Sequence, residues 1–264
     1  MQFKRILAIS ICLTTFYCSI YAQETEPIEN LITDRPDQTE SAVTVPKNHV
    51  QIETGAAYQD YGNDTFREQS FTYNTTLLRY GILNTMELRL GWSFTEIETE
   101  INQTKTANVL SGFSPLSIGA KIEISEESTW KPKIALLTNL YLPFSASTDY
   151  KPETTGVDLF MLFAHTLNES SNLSYNLGAS WGNDSPEAIY KYTLSYGHSL
   201  TDAIGFYAEV YGQLPEKNKA SHFWDAGFTY LITSTIQLDA TVGTSFTKGQ
   251  NLLLSGGISI RLPN

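Results

Sequence analysis

From His49 onward the chain alternates apolar and polar residues with a period of two. The stretch MELRLGWSF (residues 86–94) puts Met, Leu, Leu, Trp and Phe on one side and Glu, Arg, Gly and Ser on the other. Residues 116–124, 235–246 and 252–262 repeat this pattern. Successive side chains of a β-strand point to opposite faces, so the alternation predicts strands with one apolar and one polar face.

Runs of this kind predict twelve strands of about 11–14 residues each. Strands of soluble proteins cluster near 5–6 residues, whereas a tilted strand that spans a membrane needs about 9–11. The predicted strands are residues 48–61, 70–82, 86–97, 114–125, 131–144, 156–167, 172–182, 188–200, 203–214, 221–232, 235–246 and 250–262.

The connections between these runs alternate in length. Short ones such as ILNT and TDA take turns with longer, more polar ones such as residues 96–113 and 145–155. This predicts an antiparallel up-and-down sheet with short turns on one rim and long loops on the other, as in outer-membrane barrels. A barrel satisfies every backbone polar group in lipid. The alternative is a soluble secreted all-β protein, either a sandwich or a lectin-like fold.

The first 22 residues read as a cleavable signal peptide, with Lys4 and Arg5 before a short apolar stretch. The predicted organisation is therefore a signal peptide (1–22), a polar segment (23–47) and a barrel (48–264). Both cysteines, Cys12 and Cys18, fall in the leader, so the remainder has neither a disulfide nor a thiolate metal site. The chain carries net charge −11, and loss of the two leader bases makes it −13, which argues against nucleic acid as a partner.

Three stretches carry a resemblance to a known family: LITDRPDQTESAVTVPKNHVQIETGAAY (31–58), TTLLRYGILNTMELRLGW (75–92) and the closing GGISIRL. From about residue 31 to the C-terminus the chain resembles the outer-membrane family labelled "putative MetA-pathway of phenol degradation". The resemblance implies a Gram-negative outer-membrane transporter, a porin-like channel for small molecules, aromatic or otherwise hydrophobic. Many such barrels end on an aromatic residue that the assembly machinery reads. This chain ends RLPN, so either Leu262 takes that role or the machinery recognises the end of this barrel less strictly.

The polar side of each strand is predicted to face the lumen. About twelve strands give a lumen wider than in eight-stranded barrels and narrower than in general porins. Charges there must meet water or each other. They form either a selectivity lining or a structural ion-pair network. The candidates are Glu87, Arg89, Lys121, Glu123, Asp158, Lys191, Glu209, Asp225, Asp239 and Arg261, with Asn139, Tyr141, Asn176, Tyr207 and Tyr211 on the same side and Arg79 in a strand that alternates less cleanly.

The polar segment before the first strand contains Pro27, Pro36 and Pro46, which prevent it from joining the sheet as a regular strand. Its charged residues are costly in lipid, so they belong in water or inside a polar lumen. One hypothesis is that the segment folds into the barrel mouth as a plug or gate, and the other is that it is a mobile periplasmic lead-in. The plug candidates are Asp34, Arg35, Asp37 and Glu40.

No enzyme chemistry is predicted. The sequence has no phosphate loop, no His pair at metal spacing and no nucleophile elbow, so neither a cofactor nor a metal is expected. His198 and Ser199 are adjacent in a strand and point to opposite faces. The expected partners are outer-membrane lipid, a small-molecule solute and the assembly machinery. The alternatives to a channel are a non-conducting structural or binding barrel and a soluble secreted binding protein.

Overall fold

The computed structural model describes residues 30–182, 184–246 and 249–262. The predicted signal peptide (1–22) and the start of the polar segment (23–29) lie outside the described residues. The strands of the described part are β1 (Val50–Gly62), β2 (Phe66–Leu83), β3 (Met86–Ile101), β4 (Thr104–Phe113), β5 (Leu116–Ser125), β6 (Lys133–Leu142), β7 (Gly156–Asn168), β8 (Ser171–Gly182), β9 (Ser185–Ser199), β10 (Ile204–Pro215), β11 (Ser221–Thr233), β12 (Ile236–Ser245) and β13 (Gln250–Leu262).

Twelve of these strands close into an antiparallel barrel. Each pairs with its neighbours in chain order, and β13 pairs with β1 from Val50–Leu262 to Tyr61–Gln250. Strand β5 pairs with the first part of β3 (residues 86–91), and β4 pairs with its last part (residues 94–101). Strand β4 therefore lies outside this ring. The predicted closed, twelve-stranded barrel is confirmed.

The prediction that residues 96–113 form a loop was wrong. Strand β3 continues to Ile101 and turns at residues 102–103 into β4, which makes a hairpin that extends beyond the barrel. Its residues are mostly exposed and polar, so the hairpin lacks the apolar face on which the strand prediction relied. Strand β2 likewise begins at Phe66 rather than at residue 70.

The two rims differ as predicted, but less sharply. The short-turn rim carries residues 84–85, 169–170 and 234–235 as two-residue connections, together with the start of β1 and the end of β13. The opposite, long-loop rim carries the β3–β4 hairpin and the 143–155 loop, which contains two single-turn 3-10 helices. Yet β8 ends at Gly182 and β9 begins at Ser185 on that same rim, so this connection is as short as those on the short-turn rim. Among the described residues no helix has the length and apolarity needed to cross a bilayer.

The barrel has an apolar exterior and a charged interior. Leu88 is 42% exposed on the outside, and its neighbours in sequence, Glu87 and Arg89, are 0% and 5% exposed on the inside. Lys121 is also fully buried, while the adjacent Ile122 is 39% exposed. A soluble protein places these residue types the other way round. The outer surface is therefore suited to lipid, and the sandwich alternative is excluded by the closed ring of strands.

Candidate functional site

Residues 30–49, here called the lumen segment, run inside the barrel instead of joining its wall. The segment enters at the short-turn rim, where the Leu31 amide donates to the Ser234 carbonyl (2.8 Å). It leaves at the same rim, where the Asn48 amide donates to the Gly81 carbonyl (2.7 Å). Between these points the chain is irregular, with Pro36 and Pro46 unable to donate to a ladder. Several of its amides donate instead to side chains of the barrel, and those of Ser41 and Val43 donate to side chains of the segment itself.

Asp34 joins the lumen segment to three buried bases of the wall. Lys121 Nζ lies 2.8 and 2.9 Å from its two oxygens, Arg89 Nη1 lies 2.5 Å from Oδ2, and Arg79 Nη1 lies 3.2 Å from Oδ2. Burial alone raises the pKa of this carboxyl, but the three cations hold it well below its ordinary value. Asp34 is therefore an anion locked to strands β2, β3 and β5.

Arg79 is the centre of a wider network on the same wall. It binds Glu87 through Nε and Nη2 (2.9 Å each) and Glu53 through Nη1 (2.8 Å). It also donates to the backbone carbonyls of Ile32 (3.3 Å) and Val43 (2.9 Å) of the lumen segment. A guanidinium with donors engaged in several directions, fully buried, fixes both the wall and the segment that crosses it.

The carboxylates of this wall also accept backbone amides from the lumen segment. Glu53 Oε2 accepts from Asp34 N (3.0 Å) and Arg35 N (3.1 Å). Glu87 Oε2 accepts from Val45 N (2.7 Å), and Glu123 Oε1 accepts from Thr44 N (2.7 Å). These bonds replace the ladder that an irregular segment cannot make.

On the opposite wall, polar side chains of β8, β9 and β10 hold residues 38–40. Glu209 accepts from the Gln38 amide (2.7 Å) and from the Thr39 hydroxyl, which also lies 2.7 Å from the Thr193 hydroxyl. Asn176 pairs twice with the backbone of Glu40, at 2.7 and 3.0 Å. The lumen segment is thus bound on two facing sides of the barrel.

An apolar contact closes a third side. Ala42 of the lumen segment packs against Ala135, Leu137 and Leu162, and all four are buried. These residues of β6 and β7 face the lumen and not the lipid, so the rule that the polar face points inward fails here. The reason is local: this part of the wall meets the segment and not water.

The predicted lumen residues all lie on the inner face, but the structure divides them into groups. Glu87, Arg89 and Lys121 belong to the network around Asp34, and Glu123 pairs with Lys133 (2.8 Å) near the short-turn rim. Asp239 pairs with Arg35. Arg261 and Glu123 line a separate cavity, which Lys47 and Asn84 also line. Asp158 accepts from Tyr141 (2.7 Å), and Lys191 Nζ lies 5.9 Å from the Phe160 ring centre, nearer the long-loop rim. Glu209 and Asp225 face each other on β10 and β11.

The sequence reasoning missed Glu53 and Gln51, which lie on the inner face of β1. Gln51 Nε2 donates to Glu53 Oε1 (2.8 Å) and to the Ile32 carbonyl (2.9 Å). Their alternation in VQIET was a usable signal, since Val50 and Ile52 flank them.

Open volume lies on both sides of the lumen segment. The loop-side cavity has a volume of about 570 Å³ and is lined by Tyr141, Asp158, Trp181 and Lys191, among others. The turn-side cavity has a volume of about 460 Å³ and is lined by Arg35, Asp37, Ser195 and Tyr207, among others. A third cavity of about 320 Å³ shares Tyr141, Ser114 and Pro115 with the first and Arg35 with the second. The side chain of Arg35 therefore lies between the two ends of the lumen.

The structure also places a serine beside a histidine at the short-turn rim. Ser171 Oγ lies 2.8 Å from His198 Nδ1, and the His198 ring stacks on Tyr196. No carboxylate hydrogen-bonds to this histidine in the described residues, so the arrangement lacks the third group that orients a catalytic base. In the same described ranges no group of three or more His, Cys, Asp or Glu is arranged to hold a metal ion.

Comparisons with known proteins agree with this architecture. The sequence model of the family described as "Putative MetA-pathway of phenol degradation" matches residues 33–262. An outer membrane channel from Pseudomonas putida F1 is 13% identical, with a TM-score of 0.70 over 88% of this chain and 100% of that one. The CymD monoaromatic hydrocarbon channel is 9% identical, with a TM-score of 0.50 over 83% and 90% of the two chains. The NanC porin is 9% identical, with a TM-score of 0.52 over 80% and 100%. No curated protein matches the chain in sequence.

Proposed function

This chain belongs to the family described as "Putative MetA-pathway of phenol degradation", and on that premise we propose that it is an outer-membrane channel whose pore is gated by the lumen segment. A barrel with an apolar exterior is stable only in a bilayer. The lumen has space for water at both ends, which can conduct, and the lumen segment lies between these spaces, where it can act as the gate. The carrying observation is the position of Arg35, which lines the cavities on both sides of the segment.

The solute is a small molecule of the size of a single aromatic ring or a little larger. The loop-side cavity, at about 570 Å³, lies within the usual range for small-molecule sites, about 300–1,000 Å³. Trp181, Pro115, Pro152 and Ile189 supply apolar lining there, and Tyr141 and Lys191 supply polar groups. The similar channel named for monoaromatic hydrocarbons and the family's own description support the same class of solute.

The lumen charges have two roles in this proposal. Those around Arg79 hold the gate, because they bind the segment and leave no charge free for a solute. Asp158 and Lys191, which line the loop-side cavity, form the lining that a solute meets, and Glu209 helps to hold the segment from the opposite wall. A buried network of this density also supports a second function, a non-conducting barrel that the lumen segment stiffens permanently.

The chain is exported through a signal peptide at residues 1–22 and inserted by the outer-membrane assembly machinery, with Leu262 at the end of the last strand as the recognition residue. The short-turn rim then faces the periplasm, which also places the entry of the lumen segment there.

A reversible cross-link tests the gate. Thr39 and Thr193 have their hydroxyl oxygens 2.7 Å apart, so the pair Thr39→Cys and Thr193→Cys is placed to form a disulfide. Both natural cysteines lie in the predicted leader, so the engineered pair has no competitor in the processed chain. We expect the oxidised protein to stay closed in planar bilayers, and the reduced protein to show open events like the wild type.

Two controls complete the test. Thr193→Cys alone should be insensitive to reductant. Deletion of residues 23–45 should give a constantly open pore that passes phenol in liposome-swelling assays, provided that heat-modifiable gel mobility shows a folded barrel. Equal conductance of the oxidised and reduced double variant would refute the gate. A closed pore in the folded deletion variant would favour the non-conducting barrel.

A further inference from the structure

Three carboxylates meet on one side of the lumen without a base between them. Glu209 and Asp225 are directly opposite each other on β10 and β11, a position in which like charges repel. Asp37 of the lumen segment interacts electrostatically with both. Glu209 and Asp225 are 2% and 1% exposed. Such a group is stable only if something neutralises it.

The bases of the lumen do not supply that charge. Arg35, the nearest base in the segment, binds Asp239. On the opposite wall Arg79 binds Glu53, and Arg89 and Lys121 bind Glu40 and Asp34 of the segment. Within the described residues, none of the ion pairs includes Asp37, Glu209 or Asp225. Tyr207 and Glu209 approach the Asp225 carboxyl closely enough to interact with it, but neither of its buried oxygens has a hydrogen-bond partner in good geometry.

Aromatic rings surround the carboxylates. Tyr207 and Tyr211 lie two residues before and after Glu209, on the same face of β10. Phe223, two residues before Asp225, stacks on Tyr211 with ring centres 5.0 Å apart. Carboxylates beside aromatic faces are the surroundings that bind organic ammonium groups.

Two glycines make room for this arrangement. A Cβ at Gly227 would lie 2.6 Å from Tyr207 Cε1, so the ring lies over the bare backbone there. A Cβ at Gly243, opposite Asp225 on β12, would lie 2.6 Å from the Asp225 Cβ. Tyr207 and Asp37 line the turn-side cavity, so the cluster meets open space through these two residues.

We infer that Asp37, Glu209 and Asp225, with Tyr207 and Tyr211, form a binding site for a small protonated amine that carries an aromatic ring. A metal ion is the poorer fit, because the described part of the chain holds no group of three or more carboxylates at metal-binding geometry. The inference rests on the proposed function only for the route by which the amine reaches the site. It adds a cationic class of solute to the channel, selected by carboxylates at mid-depth.

Calorimetry on the full chain in detergent tests the site. The probe is 2-phenylethylamine, and its neutral twin is 2-phenylethanol. We expect the amine to bind at least ten-fold more tightly than the alcohol, and Asp225→Asn to lose that difference. Asp60→Asn is the matched control, since this buried carboxylate lies at the long-loop rim, where Arg67 pairs with it. Its amine affinity should equal that of the wild type.

The outcomes separate the site from the channel. Equal affinity for amine and alcohol, or no binding of either, overturns the amine site, and protons then neutralise the cluster. If phenol still passes the wild-type protein in that case, the channel stands without the site. If the amine binds as expected but the folded deletion variant does not conduct, the site stands and the proposed channel fails.

Discussion

Arg35 and Asp239 are 204 residues apart in the chain and form a two-point ion pair inside the barrel. Arg35 Nε lies 3.1 Å from Asp239 Oδ2, and Nη2 lies 2.9 Å from Oδ1. The remaining terminal nitrogen donates to the Thr75 hydroxyl (2.9 Å). One guanidinium therefore connects the lumen segment to β12 and to β2 and stands between the cavities on its two sides.

Breaking this pair should open the pore. A hydrogen-bonded charge pair of this kind contributes about 1.5–3 kcal/mol, so Arg35→Ala should shift the closed-to-open equilibrium about 10- to 150-fold. Asp239→Asn should have a similar effect, and the double variant should add little to either single one, because both remove the same contact. Single-channel open probability measures all three. Strictly additive effects would show that the pair does not act as a unit.

The glycine beside this pair should be intolerant of a side chain. A Cβ at Gly257 would lie 2.5 Å from Arg35 Nε and 2.6 Å from the Thr54 carbonyl, so Gly257→Ala should displace the guanidinium and raise open probability. Gly256→Ala is the control, because its Cβ would meet nothing closer than the Asp239 carbonyl at 3.3 Å. In an Arg35→Ala background the Gly257→Ala effect on open probability should largely vanish. If it persists there, the clash acts on the barrel wall instead.

The apolar contact of the lumen segment should be equally necessary for closure. Ala42→Glu places a charge against Ala135, Leu137 and Leu162, where no partner is available, and should release the segment. Lys47→Glu changes charge in the same segment at an exposed position and should leave conductance near wild type. Limited proteolysis gives an independent measurement, with faster cleavage between residues 30 and 49 expected for Ala42→Glu alone.

Arg79 should matter for the stability of the whole barrel and not only for the gate. Arg79→Met leaves Glu53 buried without its cation and takes one cation from Glu87, which keeps Arg89, and this costs about 3–5 kcal/mol. Arg67→Met, at the long-loop rim, removes a pair with Asp60 in which the arginine side chain is 42% exposed, so it should cost much less than Arg79→Met. Urea unfolding in detergent, followed by gel mobility, gives both values. Similar losses for the two variants would contradict the special position of Arg79.

The sequence was sufficient to predict the wall of the barrel, because the alternation of apolar and polar residues indicates which face of each strand meets lipid. Leu88 and Ile118 were predictable as outward residues, and Glu87 and Lys121 as inward ones, from alternation alone. Arg79 was harder, since its strand shifts register between Thr72 and Asn74 and two leucines precede it. A bulge changes the parity of the residues beyond it, so a strict period of two misassigns them.

The interior could not be predicted to the same extent. Leu137 and Leu162 look like lipid-facing residues in sequence, and only the presence of Ala42 opposite them makes an apolar lumen wall favourable. Asp34, Arg35, Asp37 and Glu40 were recognisable as candidates because charge is costly in lipid. Which partner each one meets depends on contacts far apart in the chain, and no local pattern encodes them.

The acidic cluster gives a prediction about pH. Burial, with the nearby charge of Asp225, raises the pKa of Asp37 to about 7. The groups that face Asp37 are the Ser195 hydroxyl and the titratable side chains of Asp34, Tyr207, Glu209 and Asp225. A raised carboxyl pKa means that the proton is held below pH 7 and lost above it. An organic amine, with a pKa near that of lysine, about 10.4, stays charged throughout this range.

Amine binding should therefore strengthen as the pH rises from 6 to 8. At pH 6 Asp37 is mostly protonated, so 2-phenylethylamine must displace a proton, whereas at pH 8 it meets a carboxylate, and the affinity should rise up to about 10-fold. Calorimetry in buffers of different ionisation enthalpy should detect more protons released per amine at pH 6 than at pH 8. Asp37→Asn should flatten the dependence and reduce the proton release. An affinity that falls with rising pH would be incompatible with competition between the amine and a proton at this carboxyl.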